Sequence, residues 1–223
     1  MKRRFIINLV VLLFTASALF CSCEYNKSEV IVWKIDSANK IGEKVVIVSG
    51  DPRVIQGENG IAVEFDGVDD GLLIDQNPIA GMQEFTIEVD LKPYRGGPEN
   101  REQRFLHIQD PENENRRILL ELRLNDRDEW YGDWYIKTEK ESLTLIDSSF
   151  THPVDEWATM SLEYKNGTVK GFVNGIPEVS GEIDYLPVGP EGKTSIGTRM
   201  DQRSWFKGAI KEVRFSPKTS KLN

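Results

Sequence analysis

The stretch Arg117–Asn125 alternates strictly between apolar and polar side chains, and this alternation limits the possible folds more than any other feature. From Ile118 onward, every second residue is a leucine or isoleucine, and Leu119 is the single apolar exception on the polar side. A period of two predicts a β-strand with one buried face. The opposite face carries Glu121 and Arg123, which places a carboxylate within reach of a guanidinium along the strand.

The segment 104–110 repeats this design. Leu106 faces one side with the following isoleucine, whereas Phe105, His107 and Gln109 face the other. If both segments lie in one sheet, their polar residues form a single patch together with the Glu–Arg pair of the first strand. The alternative is a solvated outer face that carries a structural ion pair.

The rest of the chain consists of short segments of the same kind. A further alternating strand is predicted at 85–91, and Asn166-Gly167 and Asn174-Gly175 are typical of tight hairpin turns. The 223 residues contain no repeat and no convincing long helix after the N-terminal segment. Many short strands predict an all-β protein, a sandwich or a jelly roll. The net charge of −8 argues against a nucleic-acid partner, because no basic stripe is present to hold a phosphate backbone.

The N-terminal segment has the features of a targeting signal. Residues 1–22 combine a basic start with an apolar run, which predicts a lipoprotein-type signal peptide. Cys23 follows a serine and is the predicted lipidation site, with an ordinary signal peptide as the alternative. Residues 23–28 would then be a tether. This predicts a protein of the bacterial cell envelope, bound to the membrane through lipid only and, because both cysteines lie here, free of disulfides.

Several motifs, taken in order, carry a resemblance to a known family. They include Phe65-Asp66-Gly67-Val68-Asp69-Asp70, Phe85-Thr86-Ile87-Glu88-Val89, Tyr164-Lys165-Asn166-Gly167, Val173-Asn174-Gly175 and Phe206–Arg214. The ordered set resembles a laminin-G-like domain of the concanavalin A-like lectin/glucanase superfamily. The resemblance implies a two-sheet antiparallel jelly-roll β-sandwich over residues 29–219, with ligands on the concave sheet or at the loop rims. The superfamily contains lectins, hydrolases, lyases and adhesion modules, so the fold alone does not give the function.

Two kinds of catalysis are compatible with this resemblance. Glucanases of the superfamily carry a Glu-x-Asp-x-x-Glu motif, which this sequence lacks, although Glu88 and Glu121 would form a carboxylate pair if their strands were neighbours. Lyase-like members use arginine, glutamine, histidine and tyrosine. Here His107 would carry the proton, while Arg123 and Gln109 would hold a uronate carboxylate, but the motif order differs from that of the lyases.

A binding role needs aromatic platforms beside planar polar groups. Trp130, Trp134 and Tyr135 are the predicted platforms, beside the polar residues already described, with burial of one of these tryptophans as the alternative. Trp157 is expected in the core.

A metal site is predicted at the acidic turn that contains Asp66, Asp69 and Asp70, because oxygen-rich loops suit Ca²⁺. The alternative is a turn in which aspartate caps its own backbone.

The sequence as a whole therefore predicts an envelope-anchored, lectin-like module that binds a polysaccharide or oligosaccharide. In an enzyme of the same fold, either a lyase or a glycoside hydrolase, His107, Glu121 and Arg123 would be the catalytic residues, and Gln109 and Glu88 would contact the ligand. A protein-binding adhesion module is the second alternative.

Overall fold

The computed structural model describes residues 29–57, 60–96 and 98–217. The predicted signal peptide, the tether and Cys23 lie outside these residues. Within them, the secondary structure consists of strands and a single 3-10 turn at Pro98–Asn100, and no helix reaches the length and apolar character that a bilayer crossing requires.

Eighteen strands are found in the part of the chain that the structure describes. They are β1 (Ile31–Lys34), β2 (Lys40–Ile41), β3 (Lys44–Val45), β4 (Ile47–Ser49), β5 (Arg53–Gly57), β6 (Gly60–Asp66), β7 (Gly71–Ile74), β8 (Phe85–Pro93), β9 (Glu102–Gln109), β10 (Arg117–Leu124), β11 (Glu129–Lys137), β12 (Ser142–Ile146), β13 (His152–Pro153), β14 (Ala158–Lys165), β15 (Thr168–Val173), β16 (Ile176–Glu182), β17 (Lys193–Ile196) and β18 (Lys207–Ser216).

Two large antiparallel sheets are built from these strands. The first sheet has the order β16-β15-β14-β8-β18-β6-β5, with β1 also paired to β18. The second sheet has the order β12-β11-β10-β9-β17-β7-β4, with β13 paired to β11. Strands β2 and β3 form a small separate ribbon. The predicted all-β, two-sheet jelly-roll sandwich is confirmed.

The core lies between the two sheets, because each central strand turns its apolar positions inward. Ile118 and Leu120 of β10 are buried, and so are Ile87 and Val89 of β8 in the opposite sheet. They belong to one continuous cluster of buried side chains. Each such side chain contributes roughly 1.5–3 kcal/mol when it leaves water. The alternation that predicted these strands is therefore the alternation between core and outer face.

Glycines make room for a tryptophan in this core. The Trp134 ring is 1% exposed and lies against Gly132 and Gly171, where an added Cβ would come within 2.3 and 2.6 Å of the ring. Its indole N–H donates to the carbonyl oxygen of Ser161 at 2.8 Å. One strand of the second sheet, β11, and two strands of the first sheet, β14 and β15, thus fit closely around one indole.

The two Asn-Gly turns adopt the backbone that the sequence predicts. Asn166 and Gly167 have φ values of 48° and 84°, and Asn174 and Gly175 have φ values of 50° and 77°. Two consecutive residues with positive φ are characteristic of type I′ hairpins. The turns join β14 to β15 and β15 to β16.

A β-bulge interrupts the pairing of β9 with β10. Leu106 is opposite Leu120, but the next pair is Arg104 with Glu121, which leaves Phe105 without a partner on β10. Phe105 is fully buried, with its ring centroid 5.8 Å from that of Phe206. The prediction that Phe105 shares the polar face with His107 is therefore wrong, because a bulge breaks the simple alternation.

Candidate functional site

The outer face of the second sheet carries a set of polar side chains that the strand register brings together. Neighbouring residues on β9, β10 and β11 form three rows across this face: His107–Leu119–Tyr135, Arg104–Glu121–Asp133 and Glu102–Arg123–Tyr131. The register therefore places His107, Glu121 and Arg123 on one face, as the alternation predicts.

A cavity of about 180 Å³ opens on this face. Most of its lining is polar or charged and comes from β9, β10, β11 and β12 and the loop between β17 and β18. The lining residues are Arg104, Arg117, Leu119, Glu121, Arg123, Asp133, Tyr135, Thr144 and Arg199. We call this the arginine cavity.

Two arginine–carboxylate pairs form the floor of the arginine cavity. Arg104 Nε lies 3.1 Å from Glu121 Oε2. Arg123 Nε donates to Asp133 Oδ2 at 2.8 Å, and its Nη1 donates to Glu102 Oε1 at 2.6 Å. The carboxylates are nearly enclosed, with side-chain exposures of 7% for Glu121 and 2% for Asp133. These contacts hold the polar groups in fixed positions, which favours binding without reorganisation.

Both enclosed carboxyl groups retain their protons more strongly than they would in water. Burial raises the pKa of Glu121 to about 7, and the positive charge of Arg104 opposes this only in part. Burial also raises the pKa of Asp133, against the hydrogen bond from Arg123. Desolvation disfavours the charged form of any carboxylate, so Glu121 exists in both protonation states near neutral pH.

His107 is a buried, neutral imidazole. Its Nδ1 accepts a hydrogen bond from the backbone N–H of Met200 at 2.9 Å, in the loop between β17 and β18. Burial lowers the pKa of His107 well below its usual value, and the charges of Arg199, Arg117 and Arg104 lower it further. A side chain that does not titrate near neutral pH and has its Nδ1 engaged does not suit the predicted role of general acid or base.

The other residues predicted to bind ligand are divided between the two sheets. Tyr135 lines the arginine cavity, with the Arg117 guanidinium 5.4 Å from its ring centroid. Gln109 is on β9 opposite Arg117, at the border of the cavity. Glu88 lies on β8 in the first sheet, where Arg214 Nε lies 3.2 Å from its carboxylate. The predicted pairing of Glu88 with Glu121 is wrong, because the two strands belong to different sheets.

The predicted tryptophan platforms are buried. Trp130 and Trp134 are 0% and 1% exposed, and the Trp130 indole N–H donates to the Pro153 carbonyl oxygen at 3.0 Å. Both rings lie on the inward-facing positions of β11, so neither can stack on a sugar at the outer face. Trp157, expected in the core, is instead half-buried beside the first sheet, with Lys211 Nζ 5.0 Å from its ring centroid.

The acidic turn brings its three carboxylates together, with one oxygen of each of Asp66, Asp69 and Asp70 within 4.8 Å of the others. Asp70 accepts backbone N–H bonds from Asp51 at 2.7 Å and from Asp66 at 2.9 Å. Asp66 Oδ1 accepts further N–H bonds within the turn. These bonds explain the turn without a metal, yet the oxygens retain free lone pairs, so a calcium site here stays a prediction.

Four charged lining residues were not among the candidate site residues predicted from the sequence. Asp133 directly precedes Trp134 on β11, so it points to the opposite face. Once Trp134 is assigned to the core, the sequence predicts Asp133 on the outer face. Arg104 and Arg117 begin the two strands already recognised. Arg199 comes from the loop after β17, and no local pattern connects it to β10.

A family model described as the concanavalin A-like lectin/glucanases superfamily, of the Laminin_G_3 type, matches residues 66–221. The comparison with curated proteins finds no match.

Solved structures with a similar fold come from several sources. Domain 4 of AbnA, a GH43 extracellular arabinanase from Geobacillus stearothermophilus solved with arabinotriose, has a TM-score of 0.61 and 16% identity over 82% of this chain and 89% of that chain. The binding domain of botulinum neurotoxin DC, solved with SialylT, has a TM-score of 0.63 and 10% identity over 86% of this chain, which spans 48% of that chain. A heptameric SAP-like pentraxin from Limulus polyphemus has a TM-score of 0.51 and 9% identity, over 87% of this chain and 79% of that one. At these identities the similarity shows the fold.

Proposed function

The chain belongs to the concanavalin A-like lectin/glucanase superfamily, and on this basis we propose that it is a lectin-like module that binds a polysaccharide or oligosaccharide on the outer face of its second sheet. The observation that carries the proposal is the arginine cavity, a fixed polar pocket built by neighbouring strands. The two similar domains solved with arabinotriose and with SialylT support a carbohydrate as the class of ligand.

The side chains of the arginine cavity suit a sugar. Guanidinium and carboxylate groups are planar and form paired hydrogen bonds with polar partners such as adjacent hydroxyls. Arg123 and Glu121 are already held by ion pairs, so little side-chain freedom is lost on binding. The Tyr135 ring supplies an aromatic surface beside them.

The binding test is calorimetry or affinity electrophoresis with a panel of polysaccharides. We expect retention by at least one polymer and a loss of binding in Tyr135→Ala and Arg123→Gln. Trp157→Ala is the matched control, because Trp157 lies beside the other sheet. Loss of binding in Trp157→Ala with no effect of Tyr135→Ala would move the site to the first sheet and contradict the proposal.

A second candidate is hydrolysis of the bound glycan. The observation that favours it is the pair of buried carboxyl groups on adjacent strands, of which Glu121 has its pKa raised to about 7 while Asp133 is its direct cross-strand neighbour. Acid-assisted hydrolysis requires one protonated and one ionised carboxyl group on either side of the bond. Burial raises the pKa of Asp133 as well, but the hydrogen bond and charge of Arg123 favour its ionised form. New reducing ends that disappear in Glu121→Gln would establish an enzyme, and retention without cleavage establishes a lectin.

We also propose, from the sequence alone, that lipid on Cys23 holds the module at the bacterial envelope. The test is fractionation of cells that express the full chain: the protein is expected with the membranes, and Cys23→Ala should release it. A Cys23→Ala variant that stays with the membranes contradicts lipid anchoring at this residue.

A further inference from the structure

The charges that line the arginine cavity are not balanced. Four guanidinium groups face two carboxylates, Glu121 and Asp133. Those two carboxylates lie against Arg104 and Arg123. Arg117 and Arg199 remain without a carboxylate partner in the lining. Outside the lining, Arg199 Nε lies 3.4 Å from Asp201, a half-exposed residue that also lies 2.8 Å from the Arg203 side chain.

Four N–H groups in and beside the arginine cavity are buried without a hydrogen-bond acceptor among the described residues: Arg104 Nε, Arg117 Nε, Arg199 Nε and His107 Nε2. One buried acceptor of the lining, Asp133 Oδ1, also has no hydrogen-bond partner there. Arg104 Nε does lie 3.1 Å from Glu121, so Arg117, Arg199 and His107 are the donors left for a ligand. Buried donors in folded proteins are nearly always paired, because an unpaired donor has lost its water without compensation. Unpaired donors outnumber unpaired acceptors here by four to one, and this excess points to an acceptor that comes from outside the chain.

The imidazole contributes a donor and not an acceptor. Met200 N–H donates to His107 Nδ1, so that nitrogen carries no proton and the neutral ring has its proton on Nε2. His107 is 0% exposed and is the cross-strand neighbour of Leu119, which lines the cavity. The charges of Arg199 and Arg117 both act on this imidazole and help to keep it neutral, which is consistent with one shared cluster.

We propose that the arginine cavity binds the anionic substituent of an acidic glycan, a carboxylate or a sulfate ester, with Arg117, Arg199 and His107 as N–H donors. The inference rests on the proposed function and names the class of sugar. Guanidinium groups form parallel N–H bonds to the oxygens of carboxylates and of sulfur or phosphorus oxyanions. A volume of about 180 Å³ accommodates such a substituent while the sugar chain lies along the sheet surface.

The first experiment compares charged polymers with their neutral counterparts. Polygalacturonate is paired with its carboxyl-reduced form, and dextran sulfate with dextran. We expect a charged polymer to bind and its neutral counterpart to bind at least about tenfold more weakly. A preference within the first pair assigns a carboxylate, and a preference within the second assigns a sulfate ester.

Substitutions of single arginines test which residues cause the preference for charged polymers. Arg117→Gln and Arg199→Gln should each weaken binding of the charged polymer about tenfold, which corresponds to about 1.4 kcal/mol. Arg53→Gln is the matched control, because Arg53 is an exposed arginine on β5 of the first sheet, where it pairs with Glu64. Equal loss in all three variants would indicate general charge attraction and overturn the proposal.

The outcomes separate this inference from the function it rests on. If charged and neutral polymers bind equally and the Arg117 and Arg199 variants are unaffected, the carbohydrate-binding function stands and the anion site is rejected. If no polymer in the panel binds, both are rejected.

A second readout uses the ion alone. In a ¹H–¹⁵N spectrum of the imidazoles, titration with sodium glucuronate or sodium sulfate should shift the His107 Nε2–H signal, whereas His152, whose Nε2 lies 2.8 Å from Glu178, serves as the internal reference. An unchanged His107 signal at saturating concentrations of both anions would overturn the anion site.

Discussion

Glu121 illustrates how one residue links the candidate site to the stability of the fold. Its carboxyl group is ionised in the unfolded chain above the ordinary pKa of 4.5, but in the folded protein it keeps its proton up to about pH 7. Between these values the folded state binds more protons than the unfolded state, so stability falls as the pH rises. Above the folded pKa no further loss is expected from this group.

The variant Glu121→Gln is predicted to flatten this dependence. The wild type should lose about 3 kcal/mol of unfolding free energy from Glu121 between pH 5 and pH 8, since each pKa unit corresponds to about 1.4 kcal/mol. Urea unfolding at the two pH values measures the difference. A variant with the same pH difference as the wild type would show that Glu121 does not titrate in this range.

Asp70 is predicted to matter for folding whether or not the acidic turn binds calcium. Asp70→Ala removes the acceptor of two backbone N–H bonds, from Asp51 and Asp66, and should cost about 3–6 kcal/mol, since bonds to a charged acceptor contribute about 1.5–3 kcal/mol each. The free energy of unfolding is measured with a chelator present. Asp69→Ala is the control at an exposed position, and equal effects of the two substitutions would contradict this role.

The strand elements are where the sequence was most informative. The alternation in β8 and β10 and the Asn-Gly turns reflect local chemistry: side chains alternate along a strand, and positive φ suits asparagine and glycine. The bulge that displaces Phe105 follows from how β9 pairs with β10, which lies beyond the local pattern. The shared orientation of Trp130 and Trp134 could have been predicted, because residues four apart on a strand point to the same face and burial of one implies burial of the other.

A substitution at Gly132 tests the packing of β11 around the Trp134 ring. Gly132→Ala should destabilise the protein by about 3 kcal/mol, because the new Cβ would come within 2.3 Å of the enclosed Trp134 ring. Gly57→Ala on β5 is the matched control, since its Cβ would have no neighbour within 4 Å. Both free energies are obtained from denaturant unfolding, and a Gly132→Ala variant as stable as the control would argue against the described packing.

At the scale of the whole molecule, pairing between distant parts of the chain decides which residues meet. β17 pairs with β9, and this brings the loop that carries Arg199 to the face of β10. β8 pairs with β14 and β18, and this removes Glu88 from the site. Neither pairing is encoded in a short pattern, so the sequence predicted the fold class and part of the polar face but not the complete cavity.

The shared core predicts cooperative unfolding of the entire sandwich. Because both sheets contribute to one buried cluster, neither can separate without exposing the apolar face of the other. Far-ultraviolet circular dichroism and calorimetry should therefore report one transition with equal van't Hoff and calorimetric enthalpies. Two separated transitions would indicate that the sheets are independently stable.

The loop between β17 and β18 forms one wall of the arginine cavity. It supplies Arg199, and two hydrogen bonds join its backbone to β9. The Met200 N–H donates to His107 Nδ1, and the Arg104 N–H donates to the Ser204 carbonyl oxygen. The sandwich strands supply the remaining walls, and at the end of the loop Phe206 packs in the core against Phe65 and Phe105. For the proposed glycan site, substitutions in residues 199–205 are therefore expected to alter the cavity wall while Phe206 and the strands stay in place, which is how surface loops diversify among relatives that share one scaffold.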